Sequence, residues 1–205
     1  MRKLLLLTLI LSSSVAALSQ VRFSDAKLGV SFTYPAGYTL KTGPLGAKDT
    51  GLGYLGPIPM EFVAPGGIRI ATVEAPPGSY PGTDFINAFF TLSANPFITQ
   101  EECEQFPGRQ DKSPTFVLKT ESGIILHGVM QSDGGLGHQF VGEYYHTFSD
   151  GQCMEFGYGL VTAGYGAEEG LRQAPYKLIA SRLKAILLNV TLSKPKDRRD
   201  RAGDH

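Results

Sequence analysis

The sequence predicts an α+β fold in which an antiparallel β-sheet is covered by helices on both faces, an α/β/α sandwich. Three observations carry the prediction. Residues 115–120, 124–131, 138–148 and 152–162 read as four consecutive strands, separated by Glu121-Ser122-Gly123, Asp133-Gly134-Gly135 and Asp150-Gly151. These strands are apolar on both sides, and an antiparallel sheet of that kind must be covered twice. Two stretches, residues 83–93 and 175–189, have the helical stripes to do so.

The front of the domain is a hairpin. Residues 21–24 and 30–34 pair across Asp25-Ala26-Lys27-Leu28-Gly29, with Val30, Phe32 and Tyr34 on one face, and Pro35-Ala36-Gly37 breaks the pairing. Residues 41–60, rich in Gly and Pro, form a long loop. Residues 61–64 and 68–74 flank Pro65-Gly66-Gly67 as a second hairpin.

Thr83 caps a predicted helix whose Phe85, Ile86, Phe89, Phe90 and Leu92 share a stripe and which ends at Asn95-Pro96. Thr99 and Glu102 have capping-box spacing and predict a short helix carrying Cys103.

Asp150-Gly151 is the strongest turn signal, because a two-residue type I′ turn needs positive φ at both central positions. It sets Phe148 opposite Cys153, His146 opposite Glu155, Tyr144 opposite Gly157 and Gly142 opposite Gly159. Phe140, Tyr144, Phe148, Cys153 and Val161 then share one face, and Val141, Tyr145, Met154, Phe156, Tyr158 and Leu160 the other. In the last helix Leu178, Ile179, Leu183, Ile186 and Leu187 form the buried stripe.

At its start the chain reads Met1-Arg2-Lys3 followed by an apolar run over residues 4–11, the pattern of a secretory signal peptide. Cleavage is expected after Ala17 or Ser19. The run is too short for a transmembrane anchor, which takes about 20 apolar residues. The expected organisation is a signal peptide over residues 1–19, a single α+β domain over 20–193 and a disordered polar tail over 194–205. The protein is expected to be exported to the periplasm or the extracellular space, soluble, with no membrane span after cleavage. An oxidising compartment gives Cys103 and Cys153 each other as disulfide partners.

With 19 Lys plus Arg against 19 Asp plus Glu, the chain lacks the positive footprint of a nucleic-acid binder, so no nucleic acid is expected as partner. Gly51-Leu52-Gly53-Tyr54-Leu55-Gly56 spells G-x-G-x-x-G, but Pro57 and Pro59 follow where a dinucleotide site needs a helix, and no cofactor is expected. Asn189-Val190-Thr191 matches the glycosylation triplet and is read as accidental.

Candidate chemistry narrows to one pair. His127, His138 and His146 lie on neighbouring strands, but His138 and His146 are separated by roughly 26 Å of strand, and a turn centred on Gly134-Gly135 places His127 opposite Gly142. No metal site is expected from them. His146 with Glu155 is the remaining candidate acid–base pair, and a cross-strand hydrogen bond is its structural reading. Gly142, Gly157 and Gly159 leave a shallow floor in which Tyr144, Gly157 and Gly159 outline a ligand groove, with close packing as the plainer explanation.

The stretch Phe23-Ser24-Asp25-Ala26-Lys27-Leu28-Gly29-Val30-Ser31-Phe32-Thr33-Tyr34-Pro35, with the later meander and the C-terminal helix, resembles the PsbP-like exported proteins. That resemblance implies an antiparallel sheet between helices and a role as an extrinsic binding or assembly module. The segment 142–155 also looks like uncharacterised exported bacterial proteins. The functional expectation is a non-catalytic module that binds a protein or a small ligand. The alternatives are a hydrolase or metal-dependent enzyme using His146 and Glu155, and a purely structural envelope protein.

Overall fold

The computed structural model describes residues 19–43, 66–105, 115–135, 137–163 and 170–193. Most of the expected signal peptide, the G-x-G-x-x-G stretch, residues 61–64 and the C-terminal tail lie outside the described residues.

The elements run β1 (Gln20–Asp25), β2 (Val30–Pro35), β3 (Thr39–Thr42), β4 (Ile68–Glu74), β5 (Phe85–Asn95), α1 (Gln100–Gln105), β6 (Phe116–Lys119), β7 (Ile125–Gly135), β8 (His138–Ser149), β9 (Gln152–Thr162), α2 (Tyr176–Leu188) and β10 (Thr191–Leu192). Seven strands form one antiparallel sheet in the order β3-β4-β5-β9-β8-β7-β6, and β1-β2-β10 form a small second sheet.

This architecture corrects the expected helix-clad sandwich. Among the described residues strand accounts for 55% and helix for 14%, too little helix to clothe both faces of a seven-stranded sheet. The predicted helix over 83–93 is the central strand β5. Its residues fit a helical stripe, but from residue 88 onward they also alternate. Ala88, Phe90, Leu92 and Ala94 enter the core on one face, while Phe89, Thr91, Ser93 and Asn95 are buried on the other. Period two wins because β5 pairs on both edges, with β4 and β9, and buries both faces. Thr83 forms a bridge to Arg172 instead of capping a helix.

One face of the large sheet is covered by α2 and the small sheet together. Ile179, Leu183, Ile186 and Leu187 of α2 pack with Phe90, Phe156 and Tyr158. Leu178, assigned to the buried stripe from spacing, is instead 46% exposed. Phe32 reaches across from β2 to meet the Phe90 ring edge-on at 5.1 Å. The Asn189 amide ends α2 by donating to the carbonyls of Thr33 and Ala185 and accepting from the Thr33 N–H, so the nominal glycosylation side chain ties α2 to β2.

The same face holds a polar knot. The Tyr145 hydroxyl donates to Glu143, and Lys184 of α2 lies 3.5 Å from that carboxylate. Burial first, and the Glu143 carboxylate second, push the Tyr145 and Tyr158 phenols well above their usual range, so both remain neutral donors.

The opposite face carries a smaller cluster of Phe89, Val129, Phe140, Tyr144 and Val161, and α1 at one end. Helix α1 starts with the predicted capping box: the Glu102 N–H donates to Thr99 Oγ1 at 3.2 Å and the Thr99 N–H to Glu102 Oε2 at 2.8 Å. Its Cys103 is bonded to Cys153 of β9 as expected. No helix among the described residues is long and apolar enough to cross a membrane.

Candidate functional site

The turn at Asp150 and Gly151, with φ of 53° and 79°, fixes the β8–β9 register as the sequence predicts, with His146 opposite Glu155 and Phe148 opposite Cys153. The β7–β8 register differs from expectation. Pairing continues to Gly135 opposite His138, beyond the Gly134-Gly135 centre, so His127 faces His146 and not Gly142. Because the side-chain period of a strand is two, this displacement keeps His127 on the same face but moves it beside the candidate pair.

Cross-strand pairing therefore assembles one polar row across the sheet. Val117 (β6), His127 (β7), His146 (β8), Glu155 (β9), Ser93 (β5) and Arg69 (β4) are successive neighbours. Sequence pattern does not single out Ser93 or Arg69, Ser93 because the stripe over residues 83–93 predicts a helix. The alternation of polar Thr91, Ser93 and Asn95 with apolar residues was the signal that could have found it.

His146 and Glu155 are sealed. Their side chains are 4% and 0% exposed, with His146 Nε2 3.5 Å from Glu155 Oε1. His146 Nδ1 lies 2.8 Å from the Cys103 carbonyl. A carbonyl only accepts, so Nδ1 carries the proton and donates it. Desolvation, opposed by that bond and aided by His127, lowers the His146 pKa to about 4, so the imidazole is neutral at neutral pH and its contact with Glu155 is not an ion pair. The Tyr144 ring closes edge-on against the imidazole at 4.5 Å.

This geometry does not match a serine hydrolase. Ser93 Oγ donates to Glu155 Oε2 at 2.8 Å, so the carboxylate stands between hydroxyl and imidazole. A nucleophilic serine needs the imidazole against its own hydroxyl, with the carboxylate behind.

The glycine floor is occupied by an aromatic ring. A Cβ on Gly159 would lie 2.2 Å from Phe140 Cε2, and one on Gly142 would lie 2.4 Å from the Tyr158 carbonyl oxygen. Gly157 faces Tyr144, which is buried. Backbone cannot give way as a side-chain end can, so Gly142→Ala is expected to lower stability by about 2 kcal/mol. Urea unfolding of the variant beside wild type measures this, and a loss below about 0.5 kcal/mol contradicts it.

A separate cleft of about 550 Å³ lies where β7, β8 and β9 end beside the start of α2, lined by Asp84, Ser132, Gln139, Leu160, Thr162 and Tyr176. Asp84 is only 4% exposed. Its Oδ1 accepts the Ala174 N–H at 2.7 Å, and among the described residues no cationic side chain forms an ion pair with it. Asp84 falls within the predicted helix over residues 83–93 and carries no motif signal of its own. A second recess, of about 390 Å³, lies between β2 and α2. There Arg182 already donates to the Tyr80 hydroxyl at 3.1 Å.

No family model matches the chain, and no curated protein matches it. Among solved structures the chain is similar to a crystal structure from Bacteroides thetaiotaomicron VPI-5482, at 10% identity over 86% of this chain and 49% of that one, with a TM-score of 0.49. This chain thus spans about half the length of that protein. It is also similar to the solution structure of cyanobacterial PsbP (CyanoP) from Synechocystis sp. PCC 6803, at 12% identity over 88% and 96% of the two chains, with a TM-score of 0.43. Both likenesses concern the course of the backbone, and no residue role follows from them.

Proposed function

We propose that the protein is an exported, non-catalytic binding module whose small ligand occupies the Asp84 cleft. The observation that carries this reading is the contrast between the two polar sites: His146 and Glu155 are closed off from solvent, whereas a nearly buried carboxylate that has no cationic partner among the described residues lines an open cleft. A carboxylate so placed favours a ligand that brings hydrogen-bond donors, with the amides of Gln139 and Gln173 beside it and Leu160 and Tyr176 as apolar wall. Export is supported by the cationic and apolar start of the sequence and by the disulfide, and β1 begins at Gln20, directly after the expected cleavage sites.

The test is a ligand-observed NMR screen of amine- and hydroxyl-bearing fragments against wild type, Asp84→Ala and Glu155→Gln. Fragments held by the wild-type cleft are expected to lose affinity at least ~10-fold in Asp84→Ala, the worth of a hydrogen bond to a charged group, and to bind Glu155→Gln unchanged. Hits indifferent to Asp84, or ester hydrolysis by wild type that disappears in His146→Ala, overturn the proposal. Mass spectrometry of protein secreted from a bacterial host tests export, with a mature chain beginning at Leu18 or Gln20 as the expected product.

A further inference from the structure

The end of the polar row nearest α1 brings together chemistry that the Asp84 reading leaves unused. Sulfur atoms of Cys103 and Cys153 and a ring nitrogen of His146 all lie within 4.8 Å of one another, and all three residues are buried. They come from α1, β9 and β8, so the tertiary fold and not a local motif gathers them. Glu155 lies outside this group, with its Oε1 3.5 Å from His146 Nε2.

We propose that, once the Cys103–Cys153 bond is reduced, Cys103, Cys153 and His146 form a site for a thiophilic divalent cation of the zinc class, with its fourth position left open. Tetrahedral zinc takes Cys, His and carboxylate donors at about 2.0–2.3 Å, which sets donor atoms roughly 3.3–3.8 Å apart. The two sulfurs and the imidazole nitrogen already lie within 4.8 Å of one another, so small side-chain shifts, with the sulfurs parting from each other and closing on the imidazole, bring them into that range. Orienting contacts are in place as well. The Tyr144 ring packs edge-on against the imidazole, and the Cys103 carbonyl fixes it with its Nδ1 proton engaged and Nε2 unprotonated.

The disulfide and the cation exclude each other. While the sulfurs are bonded together, neither carries the thiolate charge that binds a metal. A dithiol or phosphine reductant supplies two electrons, the S–S bond breaks, and each sulfur takes a proton. The dithiol leaves as its own disulfide, the phosphine as its oxide with oxygen from water. The incoming cation then displaces those two protons. Cation occupancy in this protein therefore depends on the redox state of one bond.

The experiment uses full-length mature protein, oxidised or reduced with a water-soluble phosphine under anaerobic conditions. Zn²⁺ is titrated calorimetrically in two buffers of different ionisation enthalpy, and Co²⁺ serves as the spectroscopic probe. The expected result is one Zn²⁺ per reduced chain with release of two protons, a thiolate-to-cobalt charge-transfer band, and no such binding by the oxidised chain. His146→Ala is expected to weaken binding at least ~10-fold. Circular dichroism is followed throughout. If reduction unfolds the chain, refolding on addition of Zn²⁺ supports the site, and a chain that remains unfolded with Zn²⁺ overturns it. Equal binding by the oxidised protein, no binding by a folded reduced chain, or His146→Ala binding as tightly as wild type also overturns it.

Discussion

Replacing both Cys103 and Cys153 with Ser is expected to lower the free energy of unfolding by about 4 kcal/mol, the chain-entropy cost of releasing a loop of 50 residues. The loop holds β6, β7 and β8, so the cross-link constrains much of the meander in the unfolded chain. In the folded state the bond anchors α1, six residues long, which packs only on β8 and β9 among the described elements with several contacts. A helix of that length does not persist on its own propensity. Cys103 also presents the carbonyl that accepts the His146 Nδ1–H hydrogen bond, so the double variant loosens that end of the polar row as well. Guanidinium unfolding of the double variant against oxidised wild type reads the difference. A loss under about 1 kcal/mol would show that the loop is already ordered in the denatured ensemble and that the bond adds little.

The second large effect is acid destabilisation through His146. Burial is the leading cause of its lowered pKa, the Cys103 carbonyl opposes it, and His127 on β7 adds to it. The groups facing the imidazole include His127, Glu155 of β9, the Tyr144 ring, the Cys103 carbonyl and the Cys103–Cys153 sulfurs. With a folded value of about 4 and an ordinary value of 6.5, the unfolded chain binds more protons between those limits. Stability is therefore full above pH 6.5 and falls as pH drops toward 4, by about 3 kcal/mol from this group. His146→Asn keeps an amide donor near the Nδ1 position without a titrating ring. Its stability curve should be flatter by that amount over the same window. Parallel curves for the two proteins would mean that His146 does not titrate differently on folding.

Parts of this molecule were legible because they are local. Asp150-Gly151 determines its own turn and, through it, every β8–β9 pair, including Phe148 with Cys153. Thr99 and Glu102 determine the start of α1, and the stripe through Ile179, Leu183, Ile186 and Leu187 determines which side of α2 is buried. The β7–β8 turn was misplaced because Asp133-Gly134-Gly135 offers the same chemistry as the true reversal beside Gly137, and in a strand apolar on both sides a shift that preserves facing leaves the pattern unchanged.

The sequence alone thus specifies the β1–β2 and β8–β9 hairpins, the start of α1, most of the buried face of α2 and, given an oxidising compartment, the cysteine pairing. Only the tertiary structure decided that residues 85–95 are a central strand, because pairing on both edges with β4 and β9 outweighs a stripe that fits a helix equally well. From that one decision follow the row from Arg69 to His127 and the seclusion of His146 and Glu155. Residues 60 or more positions apart become neighbours through backbone hydrogen bonds between strands, an interaction that leaves no periodic mark in the sequence of either partner.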